Sequence, residues 1–241
     1  MTEFQSQARE PAWTFGAARR EQDFDLSFRN ATDGPIDEAF WRETAQEMLA
    51  GVPDFGPVRA HWDIQNDELI LRCDCLAAQV KRTIKLDETR ERCVWHDEFS
   101  LHPAFQGAGY GPRMMRGSLH AYDRLGLRFV YVEADNVKGG YTWARLGFAI
   151  RDAEADDMRL GLLEVLEIPS RQAELGIGDR RARYVETILA SENHRLMFNV
   201  ACLADENGPY GKQLLLGSSW GGYIDLLNSD HRTLLNEAIA R

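Results

Sequence analysis

Between Val58 and Leu101, four stretches alternate apolar with polar residues, and only short polar links separate them. They cover residues 58–65, 68–75, 78–86 and 92–101. Successive side chains of a strand point to opposite faces, so a period of two predicts strands with one buried side. Links this short join antiparallel neighbours, because a parallel return needs a long crossover. Asn66-Asp67 fits a tight turn between the first two strands. The middle of the chain is thereby committed to an antiparallel meander.

The period changes after Leu101. Residues 109–124 read as a helix, 127–134 as a strand, 138–145 as a short helix and 148–150 as a strand. A strand, a crossover helix and a strand in that order imply a parallel pair within a mixed sheet. Upstream, Phe24, Leu26 and Phe28 alternate with polar residues, residues 30–35 form a turn, and 36–50 show helical spacing before a loop at 51–57. Downstream, 153–166 and 180–191 read as helices, 197–203 as helix or strand, 214–216 as apolar, 220–227 as alternating, and 229–240 as a closing helix. A length of 241 residues suits one domain with a sizeable insertion. The expected organisation is a polar tail at 1–22 with Trp13 and Phe15 as docking points, a core at 23–151, a helical insertion at 152–212, and a closing strand and helix at 213–241.

Lys and Arg number 28 against 38 Asp and Glu, a net charge of −10, so no basic nucleic-acid-binding surface is expected. The four cysteines include no CxxC pair and no Cys/His ligand spacing, so no metal is expected. Cys73 and Cys75 lie on one face of their strand, and all four thiols suit a reducing compartment. The polar N-terminus lacks a leader's apolar core, and no apolar run reaches the ~20 residues of a membrane span. A cytoplasmic protein without a membrane partner is the expectation.

The richest stretch is Leu101-His102-Pro103-Ala104-Phe105-Gln106-Gly107-Ala108-Gly109-Tyr110-Gly111-Pro112-Arg113. It is a strand end, a polar turn, a glycine loop and a helix start. Glycines let successive main-chain N–H groups face one ligand, and a helix N-terminus adds unpaired donors and partial positive charge. Together they make a pyrophosphate cradle, to which Arg113 adds a cation. Pro112 suits the first helical turn. Glycines placed for turn geometry alone are the competing reading. A Rossmann loop would need a third glycine where Pro112 stands, although Glu133 and Asp135 lie at a suitable distance for its acid. No glycine loop ends in the Gly-Lys-Ser/Thr of a P-loop.

Gln106-Gly107-Ala108-Gly109-Tyr110-Gly111, with its lead-in Leu101-His102-Pro103, resembles the Q/R-x-x-G-x-G/A acyl-CoA signature of the GNAT N-acyltransferase superfamily. Downstream, Asn136-Val137-Lys138-Gly139-Gly140-Tyr141-Thr142-Trp143-Ala144-Arg145-Leu146-Gly147-Phe148 resembles that family's second motif. The match covers residues 92–150. It implies a mixed, mostly antiparallel twisted sheet flanked by helices, here with a helical insertion before the last strand. It also implies that the strands at 92–101 and 127–134 splay, with the pantetheine arm of acetyl-CoA or another acyl-CoA along Phe99 and Leu101. The donors of Gln106, Gly107, Ala108, Gly109, Tyr110 and Gly111 would hold the pyrophosphate, and Asn136 would lie near the pantetheine or adenine end.

The implied reaction is direct attack of an amine on the thioester, which needs a base and donors for the oxyanion. Family bases are often carboxylates on the fourth strand, which makes Asp97 and Glu98 candidates with His96 beside them. Neighbouring side chains point to opposite faces, so only one of the two carboxylates faces the cleft unless a bulge intervenes. A solvated strand edge is the plain alternative for both. The family often places an acidic Tyr where this chain has Trp143, so Tyr141 substitutes, the thiolate leaves unassisted, or the chain is no acetyltransferase. Trp143 itself reads as core packing or a pocket wall.

The acceptor implied is a small-molecule or peptide amine, and the negative charge favours a cationic one. A catalytically silent GNAT-fold module that binds CoA or a protein is the alternative function. The insertion either walls the acceptor site or makes a subunit contact, as in a homodimer. Gly217-Ser218-Ser219-Trp220-Gly221 matches the nucleophile elbow of hydrolases, but too little chain follows for the remaining triad. His194 and His231 read as surface or capping residues, and Arg180, Arg181 and Arg183 as a solvated helix start.

Overall fold

A computed structural model describes residues 12–15, 38–51, 59–65, 68–135, 138–174, 176–206 and 208–240. The expected strand at 24–29, the turn at 30–35, most of the loop at 51–57 and the Asn66-Asp67 turn lie outside the described residues. The chain is mixed α/β, its strands pair mostly antiparallel, and it divides into two compact units, Met1–Arg128 and Phe129–Arg241.

The first unit holds β1 (Ala12–Phe15), α1 (Glu38–Met48), β2 (Arg59–Gln65), β3 (Glu68–Asp74), β4 (Ala78–Leu86), β5 (Arg92–Leu101) and α2 (Tyr110–Arg124). Its strands lie in the order β1-β2-β3-β4-β5. β2 to β5 form the expected antiparallel meander. The stretch 12–15 is no simple tail: β1 pairs parallel with β2, Trp13 opposite Ala60 and Phe15 opposite Trp62. The period of two becomes a buried row in which Trp62, Leu71 and Arg82 stand in register, as do Ala60, Cys73 and Val80.

In α2, Met114, Met115, Ser118, Leu119, Ala121 and Tyr122 are buried at helical spacing. α1 packs on α2 through a polar seam. The Ser118 hydroxyl donates to the Met48 carbonyl at 3.0 Å, and the Arg124 guanidinium reaches Thr44 Oγ1 at 2.7 Å and the Glu43 and Glu47 carboxylates at 2.9 and 3.0 Å. Gly117 lets the two backbones approach, since a Cβ there would stand 2.6 Å from Ala50 Cβ.

The second unit holds β6 (Phe129–Ala134), α3 (Gly139–Arg145), β7 (Ala149–Ile150), α4 (Asp152–Glu167), α5 (Pro169–Glu174), α6 (Asp179–Leu189), α7 (Asn193–Ala201), α8 (Gly211–Leu215), β8 (Trp220–Asp225) and α9 (Ser229–Ala240). β6 and β7 run parallel, but they are not neighbours: β8 lies between them, antiparallel to both. β8 supplies one ladder to each side, with Gly222 opposite both Val132 and Ile150. Helices α4 to α8 fill the chain between β7 and β8. The ambiguous stretch at 197–203 falls mostly in α7, and the apolar 214–216 ends a helix, because Gly211 packs against the Val200 carbonyl. No helix among the described residues is long and apolar enough to cross a membrane.

Burial pushes the Cys73 and Cys93 thiols up from 9.0 to about 12. An unfolded thiol would release its proton first, so stability should be full below pH 9.0 and fall as pH rises towards about 12. Alkaline thermal melts check this, and a flat profile contradicts it. Packing at the α1–α2 crossing makes Gly117→Val an overpacking change, expected to destabilise by about 1–3 kcal/mol. Gly161 in α4 faces open space, so Gly161→Ala should instead raise the melting temperature.

Candidate functional site

β5 ends at Leu101, and a single 3-10 turn, Pro103–Phe105, leads to the glycine loop. His102 shapes that turn: its Nδ1 accepts from the Ala104 N–H at 3.3 Å and its carbonyl from the Phe105 N–H at 2.8 Å. Gln106 ties the loop back, donating from Nε2 to the Leu101 carbonyl at 2.9 Å. Gly107 and Gly109 then take φ values of 82° and 77°, in the left-handed region that side chains resist. Gly109 is the N-cap of α2, with no side-chain cap and no acid in the first turn.

Among the described residues, no hydrogen-bond acceptor meets the N–H of Gly107, Ala108, Gly109, Tyr110 or Gly111. A Cβ on Gly107 or Gly109 would meet no atom within 4 Å, so the concave side of the loop is open. Gln106 to Gly109 are exposed, while Tyr110 and Gly111 are half-buried. Exposed Arg113 holds its guanidinium 5.4 Å from the Tyr110 ring centre. A run of unused donors at an uncapped helix N-terminus, with no acid beside it, is chemically an anion site. Half-buried Phe99 and Leu101 lead into it, and Phe99 Cε1 lies 3.9 Å from where a Gly111 Cβ would stand.

The bulge that lets both carboxylates share a face is present. Lys81 stands opposite Glu98 and Thr83 opposite Trp95, so His96 and Asp97 together face Arg82. This extra residue brings Asp97 and Glu98, both exposed, to one face. Their environments differ. Asp97 Oδ2 accepts from the Thr83 hydroxyl at 2.6 Å and lies 3.7 Å from Lys81 Nζ, whereas the Glu98 carboxylate forms no such pairing among the described residues.

The opposite face of the bulge carries His96, expected beside the carboxylates, with Arg82 and Tyr122, which the sequence did not single out. His96 is buried rather than beside the carboxylates, and its Nε2 shares a 2.6 Å hydrogen bond with the Tyr122 hydroxyl. Burial, with the Arg82 charge, drives the His96 imidazole well below its ordinary value, so the ring is neutral. Arg82, 1% exposed, donates from Nη1 to the Lys81 and Glu98 carbonyls at 2.8 and 2.7 Å, and from Nη2 to Met114 Sδ at 3.3 Å. Burial lowers its pKa, which the neighbouring Tyr122 and Asp97 raise. The signal was its phase: Val80, Arg82 and Ile84 alternate on the apolar side of β4.

The remaining candidates lie in the second unit or outside the described residues. Asn136 is outside them. Tyr141 is half-buried on α3, with Lys212 Nζ 5.9 Å from its ring centre. Trp143, 6% exposed, packs edge-on against Phe148 at 5.1 Å and so belongs to the core. Ser219 precedes strand β8 rather than a helix, so no nucleophile elbow exists there. His194 and His231 stack at 5.8 Å, and buried His231 accepts from the Asp225 N–H at 3.0 Å, so His231 is no surface residue. Arg181 is half-buried and forks onto Asp205 at 2.7 and 2.8 Å beside a cavity of about 1020 Å³ lined by Tyr184, Ile188, Leu203 and Tyr210. No group of three or more potential metal ligands occurs among the described residues.

Comparison of this chain with family models, curated proteins and solved structures finds no match.

Tyr122→Phe removes the buried hydroxyl that shares a 2.6 Å hydrogen bond with His96 Nε2. It is expected to lower stability by about 1–3 kcal/mol in denaturant melts, and an unchanged midpoint would remove the network from the account of this core.

Proposed function

We propose that this chain is an acyl-CoA-dependent N-acyltransferase that moves an acyl group, acetyl in the simplest case, to an amine. The reading is carried by the unbroken run of free main-chain donors from Gly107 to Gly111 at the start of α2. A diphosphate satisfies several such donors at once, and Arg113 adds charge at its rim. The pantetheine arm then follows the end of β5 past Leu101 and Phe99. Both the glycine run and its position after a strand agree with the GNAT resemblance.

The thioester supplies the acyl group and a thiol leaving group. Glu98 takes a proton from the ammonium form of the acceptor, which frees the nitrogen lone pair. The C–N bond forms as the C–S bond breaks, the sulfur departs as a thiolate, and the proton that the acylated nitrogen still has to lose passes to that thiolate to give the free thiol. A thiol pKa near ~8.5 makes that departure feasible without an acid, which suits the core position of Trp143. Asp97 is the less available carboxylate, because Thr83 and Lys81 already occupy it. The acceptor is a small-molecule or peptide amine, and the carboxylate pair on one face favours a cationic one. The buried Trp143 also favours a second reading, a module that binds CoA and turns nothing over.

Titration calorimetry with CoA and a thiol-release assay over a panel of amines separate these readings. The enzyme binds CoA and releases thiol, the silent module only binds, and absence of CoA binding overturns both. Gly109→Val is expected to abolish CoA binding and leave the fold largely intact. Glu98→Gln should lower turnover by about 100-fold or more, and Asp97→Asn by much less. Equal, near-wild-type rates for both would remove the carboxylates from the chemistry.

A further inference from the structure

We propose that Arg82 is a positioning residue for this site: its buried guanidinium holds the β5 bulge that turns Glu98 outward and ties it to α2. The inference rests on the acyltransfer reading for its catalytic consequence, but its structural part stands on the first unit alone.

Arg82 stands opposite Leu71, a fully buried residue. A cation taken out of water is costly unless its donors are satisfied, and among the described residues no carboxylate forms an ion pair with it. Its donors go to carbonyls at one particular place. A bulge interrupts the regular ladder. Arg82 Nη1 donates to a carbonyl on each side of the interruption, Lys81 on β4 and Glu98 on β5. The same guanidinium reaches Met114, in the helix that begins at the glycine loop. Tyr122 of that helix holds His96, one of the two bulged residues. The bulge is therefore gripped from inside through its main chain and its inward side chain.

The alternative to a bulge is a regular ladder with β5 slipped by one residue. Such a slip turns every following side chain to the other face. It would carry Glu98 inward and reverse Phe99 and Leu101. Arg82 selects the register in which Glu98 meets solvent, without itself touching a substrate.

The test uses the full chain with R82M, which removes the charge, and R82K, which keeps a charge but not the planar fork. Amide hydrogen exchange at residues 97–101 should accelerate by about tenfold or more in R82M and less in R82K. kcat for thiol release should fall by about tenfold or more in R82M, with partial recovery in R82K. The CoA Kd should stay within about threefold of wild type, since the glycine donors lie outside the bulge. Unchanged exchange and kcat in the folded variants, or a loss confined to CoA binding, overturns the proposal. Should R82M fail to fold, R82K alone decides by the same readings. A wild-type chain that binds no CoA overturns the acyltransfer reading instead, and the exchange rates then decide the structural role of Arg82.

Discussion

Where two residues of β5 face one of β4, the ladder between them loses its regular pairing, and the chemistry of the first unit is arranged around that loss. On the outer side, the extra residue places Asp97 and Glu98 together. On the inner side, it leaves His96 pointing into the core and brings two carbonyls within reach of Arg82. Each arrangement needs the other. Without the guanidinium, the Lys81 and Glu98 carbonyls would lose a donor in the interior, which is costly. Without the bulge, the guanidinium would lie in an apolar row with fewer acceptors in reach.

The glycine loop works by a different economy of hydrogen bonds. His102 and Gln106 consume the donors and acceptors on the approach to it, at Ala104, Phe105 and Leu101. From Gly107 to Gly111, no acceptor among the described residues meets the main-chain N–H groups. The contrast is local. A turn built only for geometry would close its own hydrogen bonds, as the turn at Asp87 does by accepting from the Thr89 and Glu91 N–H groups. Positive φ at Gly107 and Gly109 keeps the open side clear of side-chain bulk.

Much of this was legible in the sequence because it is periodic or local. The meander from Arg59 to Leu101 follows from alternation, and α2 from its apolar spacing and glycine start. The geometry of the glycine loop was readable because positive φ at Gly107 and Gly109 depends on backbone freedom, which residue type dictates. The order of the strands in the second unit was not readable. Strands β6 and β7 carry nothing that says β8 will come between them, because that partner lies beyond five helices. The β1 strand was hidden for a related reason: pairing at a sheet edge depends on what β2 offers, not on the four residues themselves.

Arg82 shows the limit most clearly. Its position between Val80 and Ile84 marks it as inward-facing, yet strand phase alone cannot distinguish a buried cation from a strand that twists its charge out to water. The deciding information is a count on the neighbouring strand, two residues against one, which no property of β4 contains. The bulge also settles a question that alternation had left open, since neighbours Asp97 and Glu98 share a face only because of it. Their differing contacts then give them different chemistry. Asp97 already accepts from Thr83 and faces Lys81, whereas the Glu98 carboxylate has no such pairing among the described residues.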